Sequence, residues 1–232
     1  MNIRARKAEG WIDVHAHFAL PKTPEQLQAG LKMMRAGCFL APEPFDWTVE
    51  ATLDHMDRSG IAMQVLSNIP KTLADLESSN TFGASIVARL PARFGLLAAL
   101  PTDDPAAALV EMDRPEKKLQ ADGFAVTCNY NGVSLGDPRL DSVWAELDRK
   151  GSVVFMHPDA YAPPSLGRPS ALLEVAFETA RTVVDMLYGG VFRSYPGIRF
   201  VVAHCGGALP ACQIASKRGS GAPCVQIGMN PE

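Results

Sequence analysis

Asp13-Val14-His15-Ala16-His17-Phe18 is the stretch on which the fold turns. Residues two apart on an extended strand point to the same side, so His15 and His17 leave the end of a strand together. Val153-Val154-Phe155-Met156-His157-Pro158 and Phe200-Val201-Val202-Ala203-His204-Cys205-Gly206-Gly207 stop in a similar way. Each runs through apolar, β-branched residues and then breaks at a histidine. Four of the five histidines therefore sit where a buried strand gives way to polar chain. The fifth, His55 in Leu53-Asp54-His55-Met56-Asp57-Arg58, falls among acidic neighbours on a helical pattern and is set aside.

Working outward, short β-rich runs alternate with longer helical patterns, the signature of βα units building a parallel sheet. The strands predicted are 11–15, 63–68, 95–100, 123–128, 152–157 and 199–204, and the helices are 48–59, 80–90, 105–120, 137–150 and 170–193. Asp137-Pro138 supplies an N-cap followed by proline at the first helical position. Residues 19–45, rich in proline and glycine, read as a long loop that shapes a site. An open doubly wound sheet would give the same alternation. The first strand, however, lacks the glycine fingerprint of a dinucleotide site, and histidines gathered at C-terminal strand ends mark the face where barrel enzymes place their chemistry. The fold class is thus α/β, a (β/α) TIM-type barrel.

The chain has 232 residues, 47% hydrophobic and 20% charged, an ordinary composition for one globular domain. A net charge of −3, with no basic run interleaved with aromatics, excludes a nucleic-acid-binding role. No apolar run approaches a membrane span, and Arg4, Arg6 and Lys7 lead into a strand rather than a signal-peptide core. The five cysteines, Cys38, Cys128, Cys205, Cys212 and Cys224, are odd in number and form no C-x-x-C pair, which points to a reducing compartment, the cytosol.

A single strand-end histidine is more often a hydrogen-bonded core residue than a ligand, and H-x-H alone is a weak signal. H-x-H on the first strand together with histidines ending two later strands is a strong one, because neutral imidazoles on one face make most of a zinc site. Cys205 would point away from such a site if His204 points into it, and reads as packing. Phe18, Trp47 and Met156 are candidates for substrate contact, each more often ordinary packing. Arg168 could meet a carboxylate but reads as a solvated surface residue.

These features resemble the amidohydrolase superfamily, in the branch of aminocarboxymuconate-semialdehyde, resorcylate and 6-methylsalicylate decarboxylases. The matching stretches are 12–18, the helix containing Leu53-Asp54-His55-Met56-Asp57, Gly123-Phe124, Phe155-Met156-His157-Pro158 and 195–207, within a resemblance over about residues 11–210. It implies that His15, His17 and His157 bind one divalent ion, zinc with manganese or cobalt as alternatives, and that His204 is the acid/base residue. It also implies a small aromatic acid as substrate, an ortho-hydroxybenzoate type that loses its carboxylate without oxidation, and is compatible with a homo-oligomer. The branch uses no bridging lysine, and Thr127-Cys128-Asn129 offers none, which agrees with a single ion. Two other functions fit the same residues: an amide or lactone hydrolase, and an inactive remnant that binds a metal or a partner.

The chain departs from that pattern at its end. After His204 there are 28 residues, whereas two more βα units need roughly 60 at about 30 each. The expectation is therefore about six of eight βα units in a domain over 1–211, with 212–232 a disordered or aberrant tail, an absent eighth-strand aspartate and weak activity at best.

Overall fold

The computed structural model describes residues 10–114, 119–159 and 167–211, so the tail expected over 212–232 lies outside the described residues. In chain order the elements are β1 (Trp11–His17), α1 (Pro24–Ala36), α2 (Val49–Ser59), β2 (Ile61–Ser67), α3 (Leu73–Arg89), β3 (Phe94–Ala99), α4 (Pro105–Arg114) and β4 (Gly123–Thr127). There follow a two-stranded hairpin of β5 (Asn129–Tyr130) and β6 (Val133–Ser134), then α5 (Asp141–Arg149), β7 (Val153–His157), α6 (Glu174–Tyr188), α7 (Val191–Ser194) and β8 (Arg199–Val202).

Six of these strands form one sheet in the order β1-β2-β3-β4-β7-β8, every neighbouring pair parallel. Five strand spacings of about 4.8 Å would hold the outer strands of a flat sheet about 24 Å apart. The rings of His15 on β1 and His204 just after β8 nevertheless lie 4.9 Å apart. Only a curled sheet brings them together, and the curl is that of an incomplete (β/α) barrel. Its concave side is filled by Val65, Leu97, Ala125, Phe155 and Ala203, from successive strands. Its convex side carries the helices over two larger cores, one around Trp144, Met112 and Leu140 and the other around Phe94, Leu66 and Met56.

The helices begin where local chemistry dictates. Thr48 caps α2 by accepting from the Ala51 N–H, and Gly60, at φ 67°, ends it in the left-handed conformation. The proline- and glycine-rich segment 19–45, expected as loop, contains α1. Thr23 and Gln26 cap each other's backbone, with Pro24 at the helix start, a capping box that overrides the segment's composition. The predicted helix 170–193 is interrupted because Gly190 takes φ 79°, leaving α6 and the short α7. The hairpin was not foreseen, although Asn131 and Gly132, both at positive φ, are the residue pair that favours such a turn.

Helix α3 starts at Leu73 rather than at residue 80, its cap Thr72 accepting from the Asp75 N–H. The polar run Ser78-Ser79-Asn80 looks like a helix breaker, but Ser79 and Asn80 are buried and bonded. Asn80 acts as a surrogate strand partner. Its carbonyl oxygen accepts from the Ala99 N–H at 2.8 Å, and its amide donates to the Ala99 carbonyl at 3.0 Å and to buried Glu111 at 2.6 Å. Asn80→Leu keeps the volume but removes these bonds, so it should cost about 2–3 kcal/mol in urea denaturation. Unchanged stability would show that the end of β3 does not depend on this side chain.

Candidate metal centre

Strands β1 and β7 and the turn after β8 bring four imidazoles to one place, at the C-terminal end of the sheet. The Nε2 atoms of His15 and His17 are 3.2 Å apart, and those of His17 and His157 are 3.3 Å apart. Among the described residues, His15, His17 and His157 are the one group of three or more ligand side chains placed to hold a metal ion. His204 stands beside them, its ring 4.9 Å from that of His15 and 5.2 Å from that of His157.

The back sides of two rings fix their protonation. His157 Nδ1 lies 2.7 Å from the Pro158 carbonyl oxygen, a contact that requires Nδ1 to carry the hydrogen. His17 Nδ1 faces the Ser67 carbonyl at 3.4 Å and the Ser67 hydroxyl at 3.2 Å, and that hydroxyl can itself donate to the Ala16 carbonyl. In both neutral rings Nε2 is then a bare lone pair, and the two lone pairs point at each other. Ligands about 2.0–2.1 Å from a tetrahedral ion are about 3.3–3.4 Å apart. The observed spacings are close to that, and a cation accommodates these two lone pairs together with that of His15 in its Nδ1–H tautomer. The donor set fits a divalent ion.

The same surroundings keep the rings uncharged. Burial, reinforced by the neighbouring imidazoles, lowers the pKa of His15 to about 4 and that of His157 to about 3. Burial lowers His17 and His204 as well. Much of the apolar surrounding is Phe155, fully buried, whose ring is 5.1 Å from His15 and 5.9 Å from His157. Phe155 was not singled out from the sequence. Its position two residues before His157, on the same strand face, is the signal that could have found it.

His204 reaches the site through a turn of unusual backbone. His204, Cys205, Gly206 and Gly207 all take positive φ, at 54°, 53°, 81° and 61°. A side chain at Gly207 would collide with the Ala176 carbonyl, so the second glycine lets this turn dock on α6. Cys205, expected to point away from the site and pack, is exposed, because the left-handed backbone at both residues abolishes the strand alternation on which that expectation rested. Phe18, Trp47 and Met156 are buried in the helix-side cores and do not line the mouth, so the packing reading holds for all three. Arg168 lies at the surface. Cys128 is buried and bonded to Thr182 and Thr179 on α6, and burial pushes its thiol up to about 12, which makes it a poor metal ligand. No helix of the described residues is long and apolar enough to cross a membrane.

The fold and this histidine set define a class, and comparison with known proteins agrees: the chain belongs to the amidohydrolase family, which it matches over residues 12–223. It is similar to a 6-methylsalicylic acid decarboxylase of Penicillium expansum, 31% identical over 216 residues that cover 86% of this chain and 65% of that protein. It is also similar to a gamma-resorcylate decarboxylase of Rhodococcus jostii, 30% identical over 88% of this chain and 69% of that protein. The chain thus spans just under two thirds of the length of the Penicillium protein. Among solved structures, a dihydroxybenzoic acid decarboxylase from Polaromonas with bound manganese and the inhibitor 2-nitroresorcinol superposes with a TM-score of 0.67 at 24% identity, covering 91% of this chain and 68% of that one.

Neutral imidazoles in the folded chain have a consequence for stability. The unfolded chain takes up protons on these histidines as the pH falls through about 6.5, the ordinary value for imidazole, whereas folded His15 and His157 do so only near pH 4 and pH 3. Their contribution is fully present above about pH 6.5 and is lost as the pH falls toward those values. In chelator, urea denaturation of the wild type should lose more stability between pH 7 and pH 4.5 than that of His157→Phe. Parallel pH profiles for the two proteins would contradict this.

Proposed function

We propose that this chain carries the metal-binding part of a decarboxylase that removes carbon dioxide, without oxidation, from a small hydroxylated aromatic acid. The observation that carries the reading is the convergence of the His15, His17 and His157 Nε2 atoms, with His204 standing against them. Similarity to decarboxylases of 6-methylsalicylic acid and gamma-resorcylate supports the substrate class.

In this reading His15, His17 and His157 hold one divalent ion, which supplies positive charge to draw electrons from a substrate carboxylate or phenolate. Three neutral imidazoles with an open fourth position suit zinc, and cobalt or manganese fit as alternatives; the Polaromonas protein holds manganese. When the carboxylate leaves, its bonding electron pair stays on the ring carbon, which must gain one proton. His204 is the residue we assign to carry it from solvent, since its exposed imidazole stands against the rings of His15 and His157 at the mouth of the sheet. Phe155 beneath the rings excludes water from one side of the site and keeps the local dielectric low, which strengthens each electrostatic contact with the substrate. Free Cys38, Cys128 and Cys205 fit a reducing compartment, and the cytosol is the one we assign.

The test is to load the full chain with zinc, manganese or cobalt and offer it 6-methylsalicylate and 2,6-dihydroxybenzoate. Phenolic product with stoichiometric carbon dioxide supports the reading; hydrolysis of amide or lactone substrates with no carbon dioxide release would replace it by a hydrolase. Replacing both His15 and His17 with alanine should abolish ion binding. His204→Ala should keep the ion and lower turnover by about 10²- to 10⁴-fold. Equal loss of the ion in the two variants would refute the assigned division of roles.

A further inference from the structure

Strand β1 is not regular where it carries its ligands. Asp13 pairs with Gln64 and Ala16 with Leu66, so three steps along β1 meet two along β2, and Val14 and His15 have no register partner between them. This is a β-bulge, which bends a strand and re-aims its side chains. It leaves the His15 N–H off the ladder. Asp13 Oδ1 accepts that N–H at 2.9 Å, while Asp13 Oδ2 accepts from Gln64 Nε2 at 3.0 Å. Gln64 is itself buried on β2, where its own N–H donates to the Arg93 carbonyl at 2.9 Å. One strand turn further on, Ser67 pairs with His17 in register and meets its Nδ1.

We infer that Asp13 and Gln64 are positioning residues for the ion: they clamp the bulge, and the bulge sets the approach of His15 Nε2 to His17 Nε2. The inference rests on the proposal that these imidazoles bind an ion. A regular strand would already put the two histidines on one face, but about 7 Å apart along the chain at about 3.4 Å per residue. Their Nε2 atoms approach to 3.2 Å. That convergence requires the two rings to tilt toward each other, and the bulge is the local distortion that permits it. Asp13 sits at the hinge of the distortion, taking up the His15 N–H that it leaves off the ladder. Gln64 fixes Asp13 from the neighbouring strand, so the clamp is referenced to the rigid interior of the sheet. Ser67, by holding His17 Nδ1, orients the second ring from the same strand.

The measurement is the dissociation constant for zinc by competition with a chromophoric chelator, with the visible spectrum of the cobalt-loaded protein as a report on ligand geometry. Asp13→Ala and Gln64→Leu should each weaken zinc binding by about 10- to 100-fold and alter the cobalt spectrum, as losing a partner behind a ligand does. Asp13→Asn, which keeps an acceptor for the His15 N–H, should recover most of the affinity. Wild-type affinity and spectrum in Asp13→Ala and Gln64→Leu would overturn the inference while leaving the ion site intact, whereas a wild-type chain that binds no ion would overturn both. Should the variants fail to fold, amide exchange in the metal-free wild type decides. The His15 N–H, without a strand partner, should be protected by Asp13, and fast exchange would sink the proposed clamp.

Discussion

Three imidazole nitrogens that face one another with too few hydrogens to share dominate the mouth of this sheet. His17 and His157 turn their Nδ1 hydrogens outward, to Ser67 and to the Pro158 carbonyl, and so present lone pairs inward at 3.3 Å. A hydrogen on His15 Nε2 could bridge one of these contacts but not relieve the other. Protonating a ring would help only at the cost of placing charge against Phe155 and beside other imidazoles, which is why the pKa values of His15 and His157 fall so far. A divalent cation removes the conflict, since it accepts all three lone pairs at once. The site is thus arranged around a charge that its own side chains do not supply.

The rest of the fold works to hold that arrangement. A parallel sheet directs all its C-terminal strand ends to one face, and its curl brings β1 and the end of β8 within ring contact. Buried Phe155 supports the imidazoles from within the curl. The turn at His204 concentrates backbone strain in two consecutive non-glycine residues at positive φ, a conformation that costs of order 1–3 kcal/mol per residue and persists only when the surroundings enforce it. Here the surroundings are the docking of Gly207 against α6 and the hydrogen bonds that the Gly207 N–H donates to the His204 carbonyl and the Ala208 N–H to the Ala176 carbonyl.

Much of this was legible in the residues. All six long strands were placed within two residues of their observed ends, because parallel strands buried on both faces read as apolar runs and the histidines mark where they stop. The gathering of His15, His17, His157 and His204 followed from those strand ends. What escaped were features that depend on tertiary context. Helix α1 was hidden by the prolines and glycines around its capping box, and the first turns of α3 by serines whose burial only the packed structure reveals. The bulge in β1 leaves no mark in the H-x-H pattern, and the exposure of Cys205 followed from a left-handed turn that strand periodicity does not anticipate.

X-ray absorption at the metal edge of the zinc-loaded chain tests the central claim most directly, since it counts the ligands around the ion. The account predicts three imidazole nitrogens at about 2.0–2.1 Å, with the multiple-scattering pattern of intact rings. A shell with one imidazole or none, or one containing sulfur, would contradict it.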